Sequence, residues 1–388
     1  MSEENQAPPS PEGFASRPGG PLAPHPAFEF LEAAAGDRAT FGPLEPAAPA
    51  PLPRGILHSA LALTLLGLAA LLLGQVETAL LVAIAALFFV AQGADVHPAM
   101  GRMYALLAWI PPVLSAILMG ALAHLLVTNR PPTPLGIGCA IASGLGALAS
   151  LATLRRAVAD WLVRLLFRGA RPSHTLRLAS CIASVTLWVA LPAWFAFRDQ
   201  ITELLRNPAD LVSPSKLSGG LVGYVVLAFA SIGFMVRRDW RGALERLGLT
   251  ALRPADGLTV IAGIVALWLF NLGTERFEQS ALPALWASDQ AFTAALAGVM
   301  GPGLMLLLSL SAGIGEEITL RGALQPKLGI ALTSLLFAAL HMQYSWYGML
   351  SILVFGLLLG VIRMRSSTTA AILVHTLYNL LAVASSKP

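Results

Sequence analysis

Cysteine is almost absent from this chain: two residues in 388, Cys139 and Cys181, both inside apolar runs. That excludes a disulfide framework and a cysteine-built metal site. Charge is scarce as well, at 12% of residues, roughly half the share of an average soluble domain. An ordinary water-soluble fold is thereby excluded. The opening MSEENQAPPSPEGF has neither a basic n-region nor an apolar h-region, so no cleaved signal peptide is expected. No internal repeat or pair of inverted halves is visible, which counts against the commonest secondary-transporter architectures. The excess of 25 Lys and Arg over 21 Asp and Glu is too slight to suggest a nucleic-acid partner.

What the chain has in abundance is apolar sequence, 56% of its residues. Runs of roughly 18 to 22 mostly apolar residues recur, each long enough to cross a hydrocarbon core of about 30 Å as a helix. The expected fold is all-α, a polytopic transmembrane helix bundle of about eleven spans, with membrane lipids as its surroundings. The spans are read at 56–74, 76–93, 103–127, 135–153, 178–197, 219–236, 256–273, 291–320, 328–345, 346–363 and 367–385. Pro111 and Pro112 should kink the third. Residues 1–54, rich in Pro, Ala, Gly and Glu, read as a disordered tail in which 28–35 (FEFLEAAA) has the makings of one helical turn.

Three regions follow: the tail, accessory helices over 55–240, and a region over 241–388 that contains the chemistry. Between the fourth and fifth spans, 155–177 reads as a basic amphipathic helix in the membrane interface, with Val158, Trp161, Leu162, Leu165 and Leu166 at helical spacing. Placing the N-terminus inside puts most of the 25 Lys and Arg on the cytosolic segments. The expected location is therefore an inner (plasma) membrane with a cytosolic N-terminus. The Ala/Arg/Pro-rich composition suggests a bacterial source.

The polar residues that remain inside apolar sequence converge on one stretch. GIGEEITLRG sets Glu316, Glu317 and Arg321 on one apolar helix; FAALH follows with Phe337 and His341, and HTLYN with His375 and Asn379. Each charge in a membrane helix costs about 2.5–3.5 kcal/mol on insertion scales, so such groups pair or line a wet cavity. Glu317 and Arg321, four apart, stack on one face, while Glu316 is turned about 100° away and is free to address a cavity. Counted from the turns near Pro326 and Ser366, Glu316 lies about 10–15 Å deep, His375 about 12–14 Å, and His341 and Asn379 about 18–20 Å. Three helices thus bring polar groups to one layer.

Such a layer suits peptide hydrolysis. A carboxylate and an imidazole sharing a water form a general base, and a second imidazole with a side-chain amide can serve an oxyanion. No serine or cysteine stands beside a histidine, so water is the expected nucleophile. Zinc is a rival, since two His and two Glu are a ligand set, but no HExxH pairing exists and no cofactor is expected. Phe337 reads as a packing residue. The alternatives are a non-catalytic scaffold or immunity protein, whose polar cluster only fixes helix packing, and a transporter with a proton relay.

EEITLR, FAALH and HTLYN, in that order on the last helices, resemble the CPBP family of intramembrane proteases: type II CAAX prenyl endopeptidases and their bacteriocin-processing relatives. The pattern there is EExxxR, FxxxH and HxxxN or HxxxD, and it covers about residues 290–385 here. Leu320 stands where a common form has Phe. The resemblance implies a glutamate-dependent endopeptidase open to the cytosol. In it Glu316 and His341 activate water, His375 and Asn379 serve the oxyanion, and Glu317 with Arg321 holds the first helix. The substrate it implies is a membrane-associated peptide or protein, lipidated in CAAX-type members.

Overall fold

In a computed structural model the chain is described over residues 54–128, 133–204 and 212–385. The tail read at 1–54, with its helical turn at 28–35, lies outside the described residues apart from Arg54. All the regular elements described are helical. In chain order they are α1 (Arg54–Leu72), α2 (Val76–Ala94), α3 (Pro98–Leu107), α4 (Ile110–Thr128), α5 (Pro134–Ala152), α6 (Arg156–Leu166), α7 (His174–Leu204) and α8 (Pro214–Ser231). After them come α9 (Trp240–Leu247), α10 (Pro254–Ala281), α11 (Pro283–Val299), α12 (Pro302–Glu317), a π-helical turn (Ile318–Leu324), α13 (Gln325–Ala339), α14 (Trp346–Arg365) and α15 (Thr368–Ser385).

Proline explains much of this punctuation. Pro98, Pro134, Pro214, Pro254, Pro283 and Pro302 each open a helix, where the missing N–H would have had no partner anyway. Pro111 and Pro112 go further than a kink. They break the expected third span into α3 and α4 at Ala108–Trp109, because the Pro112 ring clashes with the carbonyl four residues back, that of Ala108. Pro302 likewise divides the expected 291–320 span. The residue before it, Gly301, is extended (φ −77°, ψ 168°), as a pre-proline residue must be.

Among the described residues nine runs are long and apolar enough to cross a membrane, so the count of eleven is not reproduced. The expected 219–236 span is α8, shifted to Pro214–Ser231 and diluted by Lys216, Ser215, Ser218 and three glycines. The expected 291–320 and 328–345 spans fall largely in a single apolar run, Pro302–Ala339, that folds back on itself. Arg321 and Phe337 would lie about 24 Å apart along a straight helix, yet the guanidinium carbon is 4.4 Å from the Phe337 ring centre. The reversal centres on Gly329, whose φ of 78° and ψ of 171° leave the helical region in a conformation open essentially to glycine.

Burial runs inside out relative to a water-soluble protein. Leu57, Leu61, Leu65, Leu68 and Leu72 form an exposed stripe on α1, while Glu317 and Arg321 are 0% exposed. That is the pattern expected when hydrocarbon is the solvent. Within the core, α12 packs on α8 and α15, α13 on α14, and α10 on α14 and α15. Asp95, just past α2, ties the accessory helices. It accepts from His174 N (2.7 Å), His174 Nδ1 (2.9 Å), Thr175 Oγ1 (2.7 Å) and Thr175 N (3.3 Å) at the start of α7. It also pairs with Arg237 at 3.4 Å.

Candidate active site

Glu317, the last residue of α12, is the centre of the cluster. Its Oε1 lies 3.1 Å from Arg321 Nη1 and accepts a hydrogen bond from His375 Nδ1 at 2.9 Å. The pair sits at the start of the π-helical turn, whose residues Ile318–Ala323 are all buried. Single π turns inside α-helices recur at functional sites. Two contacts brace this turn from outside: Arg246 on α9 donates to the Gly322 and Ala323 carbonyls (2.9 and 3.0 Å), and Thr319 Oγ1 donates to Tyr224 O on α8 (3.2 Å). Arg321 also donates to Gly356 O (3.2 Å) on α14 and lies over the Phe337 ring, a cation–π contact strengthened by desolvation.

His375 reaches Glu317 because α12 and α15 meet backbone to backbone. A Cβ on Gly313 would come within 2.1 Å of Thr376 Oγ1 and 2.9 Å of Thr376 N, so only glycine permits this approach without displacement.

His341 does not lie on a helix. α13 ends at Ala339, and the imidazole folds back so that Nδ1 meets Phe337 O at 2.7 Å, satisfying a carbonyl at the helix terminus. A carbonyl only accepts, so Nδ1 carries a proton, and it is Nε2 that is left to act as the lone pair whenever the ring is neutral. The loop from His341 to Ser345 is held by Asp289 of α11. Asp289 accepts from Ser345 N (2.8 Å) and Ser345 Oγ (2.7 Å), while Trp194 Nε1 on α7 donates to Tyr344 O (2.8 Å). Ser345 Oγ in turn caps α14 by accepting from Gly348 N (3.0 Å).

Phe337 does more than pack. Besides Arg321, its ring touches both imidazoles, with centroids 4.7 Å from His341 and 5.9 Å from His375.

Glu316 makes no bond to the Glu317–Arg321–His375 group among the described residues and is only partly buried. Its Oε2 is shielded and has no hydrogen-bond partner among the described residues. Tyr224, Arg321 and Tyr344 lie within its electrostatic reach. No direct bond joins Glu316 to His341 among the described residues. Asn379 is partly exposed, one helical turn beyond His375, and its side chain makes no hydrogen bond among the described residues.

The structure therefore brings Glu317, Arg321, Phe337, His341 and His375 into one contiguous group, with Glu316 at its edge. A catalytic zinc needs about three converging protein ligands, and no such group of His, Cys, Asp or Glu occurs among the described residues. Sequence reasoning missed Tyr224, Arg246, Asp289 and Gly356. Of these, Arg246 stands in the charged RRDWRGALERLGL segment, which reads only as a connector.

No curated protein and no solved structure matches the chain. Residues 298–381 match the family model described as type II CAAX prenyl endopeptidase Rce1-like, inside the stretch over which the three motifs resemble the CPBP proteases. Over these residues the C-terminal helices that carry the cluster are thus similar to the Rce1-like family of type II CAAX prenyl endopeptidases.

Proposed function

We propose that this protein is an intramembrane glutamic endopeptidase that hydrolyses a peptide bond of a membrane-associated, CAAX-type protein with water as nucleophile. What supports the reading is a fixed imidazole and, at the edge of the same cluster, a carboxylate with one shielded, unpartnered oxygen. His341, fixed through Nδ1 on Phe337 O (2.7 Å), offers Nε2 as proton acceptor. Glu316 keeps an unpartnered Oε2. A water held between them loses its proton to this pair as it attacks the scissile carbonyl. The same proton then passes to the leaving amine.

His375 has a constrained part in this scheme. Its Nδ1–H is committed to Glu317 at 2.9 Å, so in the neutral ring Nε2 can only accept. It donates to the tetrahedral oxyanion as an imidazolium, with Glu317 as counter-ion, and Asn379 offers its amide one turn along. Glu317 and Arg321 act through position: their ion pair sets the angle of the His375 ring and the course of the π-helical turn.

The region 241–388 is the proteolytic part and 55–240 the accessory part, in a bacterial inner membrane with the N-terminus in the cytosol. The test compares peptide termini in membranes that express the wild type or Glu316→Gln at equal abundance. New termini present only with the wild type are the expected result, and they identify the substrate. Identical termini, with the substrate class demonstrably present, favour the alternative in which the cluster only fixes helix packing.

A further inference from the structure

Outside the Glu317 cluster, α3, α4, α6 and the start of α7 line a cavity of about 390 Å³. Tyr104, Ala108, Trp109, Arg156, His174 and Arg177 line it. Its walls come from one membrane face. Chain connectivity requires this: the 98–128 run leads across, the 134–152 run returns, and α6 then bridges to the next run at His174.

Its lining joins two kinds of chemistry. The basic part is Arg156 and Arg177. Asp160 engages Arg177 through Nε at 2.6 Å and approaches Arg156 only to 3.9 Å. The bond from Arg177 holds the Asp160 carboxyl below the usual carboxylate range. One acid thus faces two bases, and the surrounding 155–177 segment adds Arg155, Arg164, Arg168 and Arg171 with no further carboxylate. His174 is already held by Asp95. The apolar part includes Ala108 and Trp109, next to exposed apolar side chains: Leu106 is 73% exposed and Trp109 itself 53%. The volume equals about a dozen waters at about 30 Å³ each, far more than an inorganic anion fills.

We infer that this cavity binds an anionic phospholipid, its phosphate on Arg156 and Arg177 and the first part of an acyl chain along Ala108 and Trp109. Arginines at the membrane boundary combined with an apolar wall match that amphiphile and match a soluble anion poorly. The assignment is independent of the proteolytic reading.

The test is native mass spectrometry of the full chain released from detergent, titrated with phosphatidylglycerol or with phosphatidylcholine of the same acyl chains. Phosphatidylglycerol is expected to bind at least about fivefold more tightly, the effect of roughly one basic residue near an anionic headgroup. Arg156→Gln should cut that preference about fivefold. It leaves the fold alone, since the side chain is 81% exposed. Ala108→Leu, which fills the apolar part, should abolish the tight site, whereas Arg168→Gln, outside the cavity, should leave the preference intact. Equal binding of the two lipids overturns the inference. So does an equal loss with Arg168→Gln, which assigns the effect to diffuse charge, and so does displacement by inorganic phosphate at matched concentration.

Discussion

At Arg321 a full positive charge sits at zero exposure, and Glu317, Phe337 and the Gly356 carbonyl account for it. Replacing it with leucine strands Glu317 in a dry interior and should cost about 3–5 kcal/mol, read as a lowered unfolding midpoint in detergent. Lysine keeps the charge but not the planar stack or the reach to both partners, so Arg321→Lys should fall between wild type and leucine. Phe337→Leu removes the ring shared by Arg321, His341 and His375. It should cost about 1–2 kcal/mol beyond lost area and, on the proteolytic reading, lower cleavage far more than abundance, checked by comparing product yield with membrane-inserted protein. The Glu317–Arg321 pair is legible in the sequence because four residues make one helical turn. The partnership of Glu317 with His375 is not, since 58 positions separate them and only the close approach at Gly313 brings them together. Nor does FAALH disclose that His341 has left its helix, because the four-residue spacing of Phe337 and His341 is also that of two residues on one face.

Elements fix the site through two joints. One is the α12–α15 contact, where Gly313→Val would drive side-chain carbons into Thr376 and should cost about 1–3 kcal/mol, with loss of the Glu317–His375 geometry and, on the proteolytic reading, of cleavage. The other is the Asp289 clamp on the loop between α13 and α14. Asp289→Ala leaves Ser345 N without its acceptor and Ser345 Oγ with only the longer contact to Glu278 (3.5 Å), a loss of about 1–3 kcal/mol. Hydrogen exchange should rise at residues 341–345 while the α12–α15 pairing stays protected. Apolar runs and proline starts make most helices readable ahead of the structure. The reversal at Gly329 is not readable that way: glycine is common in this chain, 35 copies, and nothing local distinguishes a glycine that turns from one that packs. The π-helical turn is equally silent, because its widened ring is set by Arg246 and Tyr224 from distant helices.

For the molecule as a whole, Asp95 pins α2, α7 and the link after α8. Burial works against its charge, but the hydrogen bonds from Thr175 and His174 hold the carboxyl below the usual carboxylate range. Because folding lowers this pKa, the stability it supplies is present above about pH 4 and is lost as pH falls through the lower folded value. The gap in unfolding midpoint between wild type and Asp95→Asn should therefore be widest near neutral pH and close in acid, as measured by thermal scans across pH. The general architecture is legible from composition, whereas this long-range stapling depends on single side chains scattered through apolar sequence. The clamps on the motif-bearing helices are scattered in the same way: Trp194, Tyr224, Arg246 and Asp289 all precede residue 298, where the Rce1-like match begins. The motif-bearing stretch is consequently no transplantable cassette. Grafted onto another membrane protein it would carry its glutamates and histidines intact while losing the hands that hold them, so the ancestry of this chain must be sought in the co-inheritance of its upstream helices with the motifs.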